Sequence, residues 1–436
     1  MKKAALHNLG CKVNAYETEA MQQLLQEAGY EIVPFVQKAD VYIINTCSVT
    51  NMADRKSRQM LHRAKKLNPD AIVVAAGCYV QTKEAEAKAD PAIDILIGNN
   101  RKDQLVEILD KFFAEREKTW AVTDINDGTQ PYEKLHLTRT AEHTRAFIKV
   151  QDGCNQFCSY CIIPYARGRV RSRDMAEVLE EAGRLSGSGY KEVVLTGIHL
   201  ASYGVDCSES LLHLIQEVHK IDGIERIRLG SLEPGIVTEE FAKELSKLPE
   251  ICPHFHLSLQ SGCDTVLKRM NRKYTTVEYE KACDYLRKYF DHPALTTDVI
   301  VGFPGETEEE FEATKAFLEK IHFYEMHIFK YSRRQGTRAA VMENQVPEEI
   351  KTRRSAELLE LSARMSKEFR EYYKGSMQEV LFEEEVQIQG RRMYTGYTKE
   401  YVKAVAESAV PLENVMCKGC LIQALSDEIY EIQLEL

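Results

Sequence analysis

The chain has 436 residues, 44% of them apolar, and a formal net charge of −10. This length and apolar content allow two to four folded domains. The negative charge argues against a surface that coats nucleic acid generally, but it does not exclude a local basic footprint. Because there is no signal-peptide pattern and no membrane-length apolar run, we expect a cytoplasmic protein whose twelve cysteines are thiols or metal ligands.

Residues 1–120 alternate between strand-like and helix-like stretches. Each short apolar run is followed by a stretch with the spacing of an amphipathic helix. The apolar runs cover 3–9, 41–45, 71–76 and 93–97. This alternation predicts an amino-terminal parallel α/β domain.

Three cysteines of this region fall in strand-to-helix turns. Cys11, Cys47 and Cys78 follow the first, second and third predicted strands. Such turns all emerge at the carboxyl edge of a parallel sheet, so we expect the three thiols to converge there as a metal site. Buried structural thiols and zinc ligation are the alternatives for these residues.

Residues 121–140 lack clean periodicity and are predicted to be a linker. After them, strand-like runs recur between helical patterns over 141–374. These runs cover 146–150, 192–196, 226–229, 254–259, 295–301 and 325–331. The series predicts a central partial (β/α) barrel, in which an active site is built at the carboxyl ends of the strands.

A short cysteine loop follows the first strand of this predicted barrel. Cys154, Cys158 and Cys161 put three thiolates on that loop and leave no fourth beside them. Thiolates select iron–sulfur clusters, zinc or copper(I), and a cubane cluster held by three cysteines keeps one iron open. An open coordination position on a metal indicates that the metal takes part in catalysis.

Small and polar residues follow the other predicted barrel strands, at the same rim. Small residues allow a ligand to approach the backbone, and polar side chains can orient it. Ordinary turn formation is the alternative for each loop taken alone. The candidate ligand contacts are Thr196, Gly197, Ser231, Glu233, Gln260 and Gly302.

The cysteine loop, with Tyr160 just before its last cysteine, resembles the cluster loop of the radical S-adenosylmethionine superfamily. The motifs Gly-Cys-Lys-Val-Asn at 10–14, Asn-Thr-Cys at 45–47 and Gly-Cys at 77–78 resemble the amino-terminal domain of the methylthiotransferases. Within that family, Gly-Cys-Lys-Val-Asn followed by Glu17 and Glu19 is most similar to the enzymes that methylthiolate N6-threonylcarbamoyladenosine at position 37 of transfer RNA. Enzymes acting on isopentenyladenosine or on a ribosomal protein are the alternatives, as is a non-catalytic, zinc-stabilised RNA-binding protein.

The resemblance implies two [4Fe–4S] clusters, and both cysteine triads would act in catalysis through them. Cys154, Cys158 and Cys161 would hold a cluster that binds S-adenosylmethionine, with Tyr160 and the rim residues as further contacts. Cleavage of that cofactor would produce a radical that takes hydrogen from carbon 2 of the adenine. An auxiliary cluster on Cys11, Cys47 and Cys78 would hold the sulfur that is methylated and transferred. The implied partners are a transfer-RNA anticodon stem-loop, a low-potential electron donor and a sulfur donor.

Two basic stretches lie close to the cysteine turns in sequence. Arg55, Lys56, Arg58, Arg63, Lys65 and Lys66 follow Cys47, and Arg167, Arg169, Arg171 and Arg173 follow Cys161. Contact with RNA phosphates and a simple solvated face are both open for each stretch. Arg171 and Arg173 have the further alternative of supporting the cofactor or the cluster.

Residues 375–436 are rich in short strand patterns and resemble the small β-barrel called the TRAM domain. The predicted strands cover 378–384, 392–398, 401–406 and 428–434. Tyr394, Tyr397 and Tyr401 could stack on bases or fill a core. Cys417-Lys-Gly-Cys420 predicts a turn with two incidental thiols, because further zinc ligands are not evident.

Overall fold

The computed structural model of the protein describes residues 1–138 and 144–435. The predicted boundary at 140 and 141, between linker and central region, lies outside the described residues, as does Leu436. In the described part, no helix is long and apolar enough to cross a membrane.

The amino-terminal region is a six-stranded sheet in which every pairing is parallel. Its strands are β1 (Lys3–Asn8), β2 (Glu31–Ile32), β3 (Val41–Thr46), β4 (Ile72–Gly77), β5 (Ile95–Ile97) and β6 (Thr119–Ala121), in the order β2-β1-β3-β4-β5-β6. Its helices are α1 (Lys12–Glu27), α2 (Asn51–Leu67), α3 (Cys78–Thr82), α4 (Glu84–Ala89) and α5 (Leu105–Glu115). Two apolar clusters share the strand residues between them, so the sheet is covered on both faces. The predicted parallel α/β arrangement is confirmed.

The described part of 122–138 packs against the molecule rather than crossing solvent. Leu135 and Leu137 are buried in one apolar cluster with Tyr16 of α1. The Tyr132 hydroxyl donates a hydrogen bond of 2.7 Å to the carbonyl of Lys149. This segment therefore joins the amino-terminal region to the central one through side-chain contacts.

The central region is a partial barrel of parallel strands covered by helices. Its strands are β7 (Arg145–Asp152), β8 (Arg171–Ser172), β9 (Glu192–Gly197), β10 (Arg226–Leu229), β11 (His254–His256), β12 (Ala294–Val301) and β13 (Glu325–Lys330). Its helices are α6 (Ile163–Arg167), α7 (Met175–Gly187), α8 (Leu211–Val218), α9 (Glu239–Leu245), α10 (Asp264–Arg269), α11 (Thr276–Tyr289), α12 (Glu308–Ile321) and α13 (Glu348–Tyr372). Parallel bridges at Ile227–Ile251 and Leu232–Leu257 connect the sheet β10-β9-β7-β8 to the sheet β11-β12-β13. The predicted partial barrel is confirmed, and β8 is an unpredicted two-residue strand antiparallel to β7.

Alternate residues of each barrel strand point either to the apolar core beneath the helices or into the space enclosed by the strands, which is called the interior here. Ala146, Ile148 and Val150 of β7 belong to the large apolar cluster under the surrounding helices. Because successive strand residues point to opposite faces, Arg145 and Lys149 face the interior. The other strands follow the same rule, and their interior-facing residues include Glu192, Thr196, Arg226, Arg228, His254, His256, Thr296, Asp298 and His327.

The carboxyl-terminal region is a closed five-stranded barrel, as expected for a small β-barrel. Its strands are β14 (Met377–Ile388), β15 (Arg391–Tyr397), β16 (Lys403–Ala406), β17 (Met416–Ala424) and β18 (Ile429–Leu434), in the order β14-β15-β16-β18-β17. The prediction of a turn at Cys417–Cys420 is wrong, because both cysteines lie on β17. A Cβ on Gly419 would sit 2.4 Å from the carbonyl oxygen of Gln433, so this glycine allows close strand approach. Cys417 and Cys420 are three residues apart on a strand and point to opposite faces.

The small barrel docks on the amino-terminal ends of the central strands. Arg226 donates hydrogen bonds to the carbonyls of Tyr397, at 2.9 Å, and Glu379, at 2.7 Å. The Arg145 guanidinium donates to the Tyr401 hydroxyl at 2.7 Å, and Tyr394 is buried in the core of the small barrel. The three tyrosines therefore fill a core and an interface, which is the packing alternative rather than base stacking.

Candidate active site

Cys11, Cys47 and Cys78 are carried by three neighbouring strands of the amino-terminal sheet. Cys11 caps α1 after β1, Cys47 follows β3 directly, and Cys78 begins α3 after β4. Gly10 has φ of +112°, and a Cβ there would lie 2.9 Å from the Cys47 sulfur. Only glycine accommodates both that backbone conformation and that close approach. The predicted convergence of the three turns is therefore present.

The surroundings of this triad suit metal-bound thiolates. Burial raises the pKa of Cys11 and raises that of Cys47 to about 11, so without a metal these thiols stay protonated at neutral pH. Arg167 Nε donates to the Cys78 sulfur at 3.4 Å, and Asn99 Nδ2 donates to the same sulfur at 3.5 Å. Donors aimed at sulfur stabilise a metal-bound thiolate.

The second triad lies on the loop between β7 and α6. The backbone N–H groups of Gln156 and Ile163 donate to the sulfurs of Cys154 and Cys161 at 3.5 and 3.4 Å. Arg272 Nη1 donates to the Cys158 sulfur at 3.2 Å. Burial raises the pKa of Cys154 to about 11 and that of Cys161 to about 12. This loop, too, presents sulfurs with hydrogen-bond donors already in place.

The spacing of the sulfurs distinguishes a cluster from a single metal ion. Zinc holds its thiolates about 2.3 Å from one centre, which brings the sulfurs close together. In neither triad do all three sulfurs lie within 4.8 Å of one another; the one group that meets this condition in the described part of the chain is His256, Asp298 and His327. In a cubane each cysteine binds a different iron, so separated sulfurs are expected. Both triads therefore fit a [4Fe–4S] cluster better than zinc.

Arg272 lies beside Cys158 and connects to two of the predicted rim residues, Glu233 directly and Ser231 through Ser258. Its Nη2 lies 2.5 Å from Glu233 Oε1 and 3.3 Å from the Ser258 carbonyl. The Ser258 hydroxyl in turn lies 2.8 Å from the Ser231 hydroxyl. Although burial opposes ionisation of Glu233, its hydrogen bond with His199 and the Arg272 charge hold its pKa below the ordinary value. Glu233 and Ser231 are thus brought to the cluster loop.

Thr196 and Gly197 end β9 at the same rim. Thr196 is buried, and a Cβ on Gly197 would lie 2.9 Å from the Gln151 side-chain oxygen. That oxygen accepts the backbone N–H of His199 at 2.7 Å. Gln151 therefore closes the rim between β7 and β9.

The remaining candidates lie on the β12 side of the rim. Tyr160 packs edge-on against Phe303, with ring centroids 6.4 Å apart. Gln260 has φ of +72° and its N–H donates to the Asp298 carbonyl at 2.8 Å. Gly302 has φ of +71°, and its N–H donates to Glu306 Oε2 at 2.6 Å. Gln260 thus holds a positive φ that is unfavourable for a residue with a Cβ, whereas glycine adopts such a φ without strain. Among the described residues, no direct contact with a cysteine of either triad is seen for Gln260 or Gly302.

Arg167 and Arg272 were not singled out as site residues from the sequence. Each donates to a cysteine of one triad and to a carboxylate, Glu17 for Arg167 and the partly buried Glu233 for Arg272. Arg167 is 89 residues from Cys78, and Arg272 is 114 residues from Cys158. No local pattern marks such a contact.

Two family models match the chain. The Radical SAM superfamily model covers residues 148–318, and the model described as uncharacterized protein family UPF0004 covers residues 3–98. The chain is 43% identical to the threonylcarbamoyladenosine tRNA methylthiotransferase MtaB of Bacillus subtilis (strain 168), over 97% of this chain and 94% of that relative. It belongs to the radical S-adenosylmethionine methylthiotransferase family.

Other methylthiotransferases match at similar identity. MtaB of Aquifex aeolicus (strain VF5) is 42% identical over 88% of this chain and 93% of its own length. The tRNA-2-methylthio-N(6)-dimethylallyladenosine synthase of Acetivibrio thermocellus is 38% identical over 91% and 84%. As a member of this family, the methylthiotransferase described here is a transferase with S-adenosylmethionine and two [4Fe–4S] clusters as cofactors. The zinc-stabilised, non-catalytic alternative is set aside.

A solved structure resembles this methylthiotransferase in fold. The radical S-adenosylmethionine methyltransferase TsrM of Kitasatospora setae superposes with a TM-score of 0.56 at 15% identity, covering 76% of this chain and 72% of that one. At this identity the likeness concerns the fold alone.

The arginine stretch of this methylthiotransferase after Cys161 is a buried ion network. Arg167, Arg171 and Arg173 are all buried, and only Arg169 of the four is exposed. Arg173 binds Glu181 at 2.7 Å, and Arg171 lies 3.6 Å from Asp152. The prediction that these three arginines contact phosphates is therefore wrong. Their buried ion pairs instead support the loop at 154–161.

Arg167 ties this network to α1. It binds Glu17, also buried, and its Nη2 lies 2.6 Å from Asn14 Oδ1. Lys149 Nζ lies 2.7 Å from Glu17 and 2.7 Å from Asp152. Although burial opposes ionisation of Glu17, the surrounding cations hold its pKa well below the ordinary value. The two cluster sites are thus joined by paired charges in the interior.

Proposed function

We propose that this methylthiotransferase converts N6-threonylcarbamoyladenosine at position 37 of transfer RNA to its 2-methylthio derivative. The observation that carries the choice of substrate is the similarity to threonylcarbamoyladenosine tRNA methylthiotransferases over nearly the whole chain. Two of these relatives are 43% and 42% identical to the chain, whereas the dimethylallyladenosine synthase of Acetivibrio thermocellus is 38% identical. The two cysteine triads support the reaction class.

The proposed cluster ligands are the two triads. Cys154, Cys158 and Cys161 would hold the cluster that binds S-adenosylmethionine, and Cys11, Cys47 and Cys78 the auxiliary cluster. When bound, these groups supply the radical that removes hydrogen from carbon 2 and the methylated sulfur that replaces it. The proposed cofactor contacts are Tyr160, Thr196, Gly197, Ser231, Glu233, Gln260 and Gly302.

The chain's own residues bind the cofactors and orient the two sites relative to each other. Arg272 stabilises the Cys158 thiolate and holds Glu233 beside it, where the carboxylate can receive a cationic group of the cofactor. Arg167 stabilises the Cys78 thiolate and anchors α1, so it sets the position of the auxiliary site relative to the loop at 154–161. Such positioning matters because a radical acts on whichever hydrogen lies next to it.

The interior wall formed by β11, β12 and β13 is suited to a nucleobase. His256 Nδ1 lies 3.0 Å from the Thr296 hydroxyl, and His256 Nε2 lies 3.4 Å from Asp298 Oδ2. His327 stacks beside His256, with centroids 5.8 Å apart. Polar groups and ring faces of this kind read a base that is splayed out of an RNA loop.

We further propose a division of labour along the chain. Residues 1–120 carry the auxiliary site, 121–140 connect, 141–374 carry the radical site and 375–436 close its base. Arg55, Lys56 and Arg63 are exposed on α2 beside the auxiliary site and are proposed to contact phosphates of the anticodon stem-loop. A low-potential electron donor and a sulfur donor complete the reaction in the cytoplasm.

Nucleoside analysis tests the proposal. We expect anaerobically reconstituted protein to bind about eight iron per chain, as two [4Fe–4S] clusters require. With reductant and S-adenosylmethionine, it should convert N6-threonylcarbamoyladenosine in transfer RNA to a product heavier by one methylthio group in place of hydrogen. Conversion of isopentenyladenosine instead, or of a ribosomal protein, would overturn the substrate assignment and leave the reaction class standing.

A further inference from the structure

Three side chains on the interior wall converge in the way that metal ligands do. His256 ends β11, Asp298 lies within β12, and His327 lies within β13. Each offers one ligand atom, a ring nitrogen or a carboxylate oxygen, and these atoms all lie within 4.8 Å of one another. No other group of histidine, cysteine or acidic side chains in the described part of the chain does so. We call this group the His–Asp–His site.

The strand register creates this convergence. Asp298 lies directly opposite His327 in the pairing of β12 with β13, and His256 lies opposite Thr296 in the pairing of β11 with β12. Thr296 and Asp298 are two residues apart on one strand, so they point to the same face. Strands about 4.8 Å apart therefore bring the three ligand side chains together on the interior wall. Asp298 precedes Gly302 by four residues, which places the site about 13 Å below the rim.

The distance between two of these ligand atoms fits a shared metal ion better than a hydrogen bond. His256 Nε2 lies 3.4 Å from Asp298 Oδ2. A hydrogen bond between charged groups spans about 2.7–2.9 Å. Two ligands of one tetrahedral zinc ion, each about 2.0–2.1 Å from the metal, lie about 3.3 Å from each other. The observed separation is therefore the one expected for two ligands of the same ion.

The second ring nitrogen of His256 has the kind of partner that metal-binding histidines have. Such a histidine uses its other ring nitrogen for a hydrogen bond that fixes the orientation of the ring. His256 Nδ1 lies 3.0 Å from the Thr296 hydroxyl, and Thr296 is buried. The ring is thus held with Nε2 turned toward Asp298, where it can bind a metal.

The carboxylate of the site has no other cationic partner. Within residues 1–138 and 144–435, Asp298 makes no ion pair with a lysine or an arginine, and its carboxylate accepts no hydrogen bond. Its one ion-pair contact is the 3.4 Å contact with His256. The His327 ring stacks beside His256 and is exposed to the interior, so an ion can reach the three ligands. The site therefore combines an uncompensated negative charge with two imidazole rings.

We propose that His256, Asp298 and His327 bind one divalent transition-metal ion. Imidazole and carboxylate ligands together suit zinc or ferrous iron, and three protein ligands leave at least one coordination position open. That position faces the interior, where the target base is proposed to enter, so a nitrogen or oxygen atom of the substrate can bind there. The inference goes beyond the proposed function, because the metal site does not depend on which N6 group the base carries.

Zinc binding by the anaerobic holoenzyme, measured without RNA, tests this inference. We expect wild-type protein to retain about one zinc per chain after gel filtration, in addition to about eight iron. His256→Gln and Asp298→Asn should retain none, because each removes a ligand. Thr296→Val removes only the hydrogen bond to His256 and should weaken zinc binding by about 10–100-fold. His213→Gln changes an exposed histidine on α8 and should match wild type.

X-ray absorption at the zinc edge identifies the ligands of the retained ion. The His–Asp–His site predicts nitrogen and oxygen neighbours at about 2.0–2.1 Å, whereas zinc held by cysteines would show sulfur at about 2.3 Å. A sulfur shell, equal zinc content in wild type and Asp298→Asn, or no zinc retained by wild type would each overturn the inference. Iron content and the thermal midpoint without zinc should match wild type in both ligand variants, which separates loss of the site from loss of the fold. If a ligand variant does not fold, the zinc-edge spectrum of wild type decides alone.

Discussion

Single residues in this enzyme connect sites that lie far apart in sequence. Arg167 donates to Cys78 and binds Glu17, while Arg272 donates to Cys158 and binds Glu233. Arg167 and Glu17 are both buried, so removing one of them leaves the other charge without compensation, which costs several kcal/mol. These two arginines therefore stabilise the protein and orient the cluster loops with the same contacts.

Substitution within each triad should separate the two cluster functions. Cys158→Ala is expected to abolish reductive cleavage of S-adenosylmethionine. Cys47→Ala is expected to retain cleavage and lose methylthio insertion, because its site supplies the sulfur. Each variant should bind about four iron per chain. Measurement of 5′-deoxyadenosine and of modified nucleoside checks this, and equal loss of cleavage in both variants would contradict the assignment.

At the scale of elements, the turns between strands and helices determine where chemistry is placed. The loop after β7 turns back at Gly153, which has φ of +73°, and a Cβ there would lie 1.8 Å from the Arg169 carbonyl oxygen. On the far side of the barrel, the turn after β12 begins α12 with a capping box of Thr307 and Glu310. Both turns depend on backbone geometry as well as on side-chain type.

Gly153→Ala should open the cysteine loop at 154–161. The added methyl group cannot share space with the Arg169 carbonyl, so the loop must shift. We expect iron content to fall from about eight to about four per chain, with loss of S-adenosylmethionine cleavage. Gly183→Ala is the matched control, because Gly183 lies on α7 with open space around it, and there alanine should stabilise by about 0.5–1 kcal/mol. Retention of both clusters in Gly153→Ala would refute this account.

Glu310 should confer stability that depends on pH. Hydrogen bonds from Arg269 lower its pKa from 4.5 to about 2, with Nη1 and Nη2 at 2.8 and 2.6 Å. A carboxyl whose pKa is lower in the folded state stabilises fully above pH 4.5 and loses this effect as the pH falls toward 2. Because the pair is partly exposed, Glu310→Gln should cost about 1 kcal/mol at neutral pH.

Thermal midpoints at about pH 7, 5, 4 and 3 check the Glu310 prediction, because the last two values lie where its contribution is being lost. The difference between wild type and Glu310→Gln should narrow as the pH falls below 4.5. Glu312→Gln removes an exposed charge from the same helix and should change little. A difference that stays constant with pH would show that the pair contributes through packing rather than through charge.

At the scale of the whole molecule, the small carboxyl-terminal barrel packs tightly against the central barrel and forms one folded unit with it. Arg226 and Arg228 are almost fully buried and donate to backbone carbonyls of that barrel. Tyr401 contacts Arg145, Arg228 and His254. The base of the interior is therefore built from both regions.

Ending the chain at residue 374 should destabilise the central barrel. The buried guanidiniums of Arg226 and Arg228 would lose carbonyl acceptors, and each unpaired charged group costs about 1–3 kcal/mol or more. We expect a clearly lower thermal midpoint for the central region, measured on apoprotein with and without residues 375–436. An unchanged midpoint would mean that the small barrel is an independent appendage.

Much of this architecture can be predicted from the sequence because its signals are local. Apolar runs at regular spacing predict most strands of the amino-terminal sheet and of the central barrel, and Cys11, Cys47 and Cys78 fall in turns that a parallel sheet brings to one edge. Cys154, Cys158 and Cys161 are close in sequence, so their convergence needs no tertiary information. The sequence does not predict the nine-residue strand β17, because its Cys-Lys-Gly-Cys motif has the composition of a turn.

The sequence by itself determined the two cysteine triads, the order of the three regions and the reaction class that they resemble. Only the tertiary structure decided that Arg167 contacts Cys78 and Glu17, that Arg272 contacts Cys158 and Glu233, and that Arg167, Arg171 and Arg173 are buried. The reason is physical: turns and periodicity depend on neighbouring residues, whereas the partner of a charge depends on how distant elements pack. The same arginine composition serves a solvated face or a buried network, and packing alone distinguishes them.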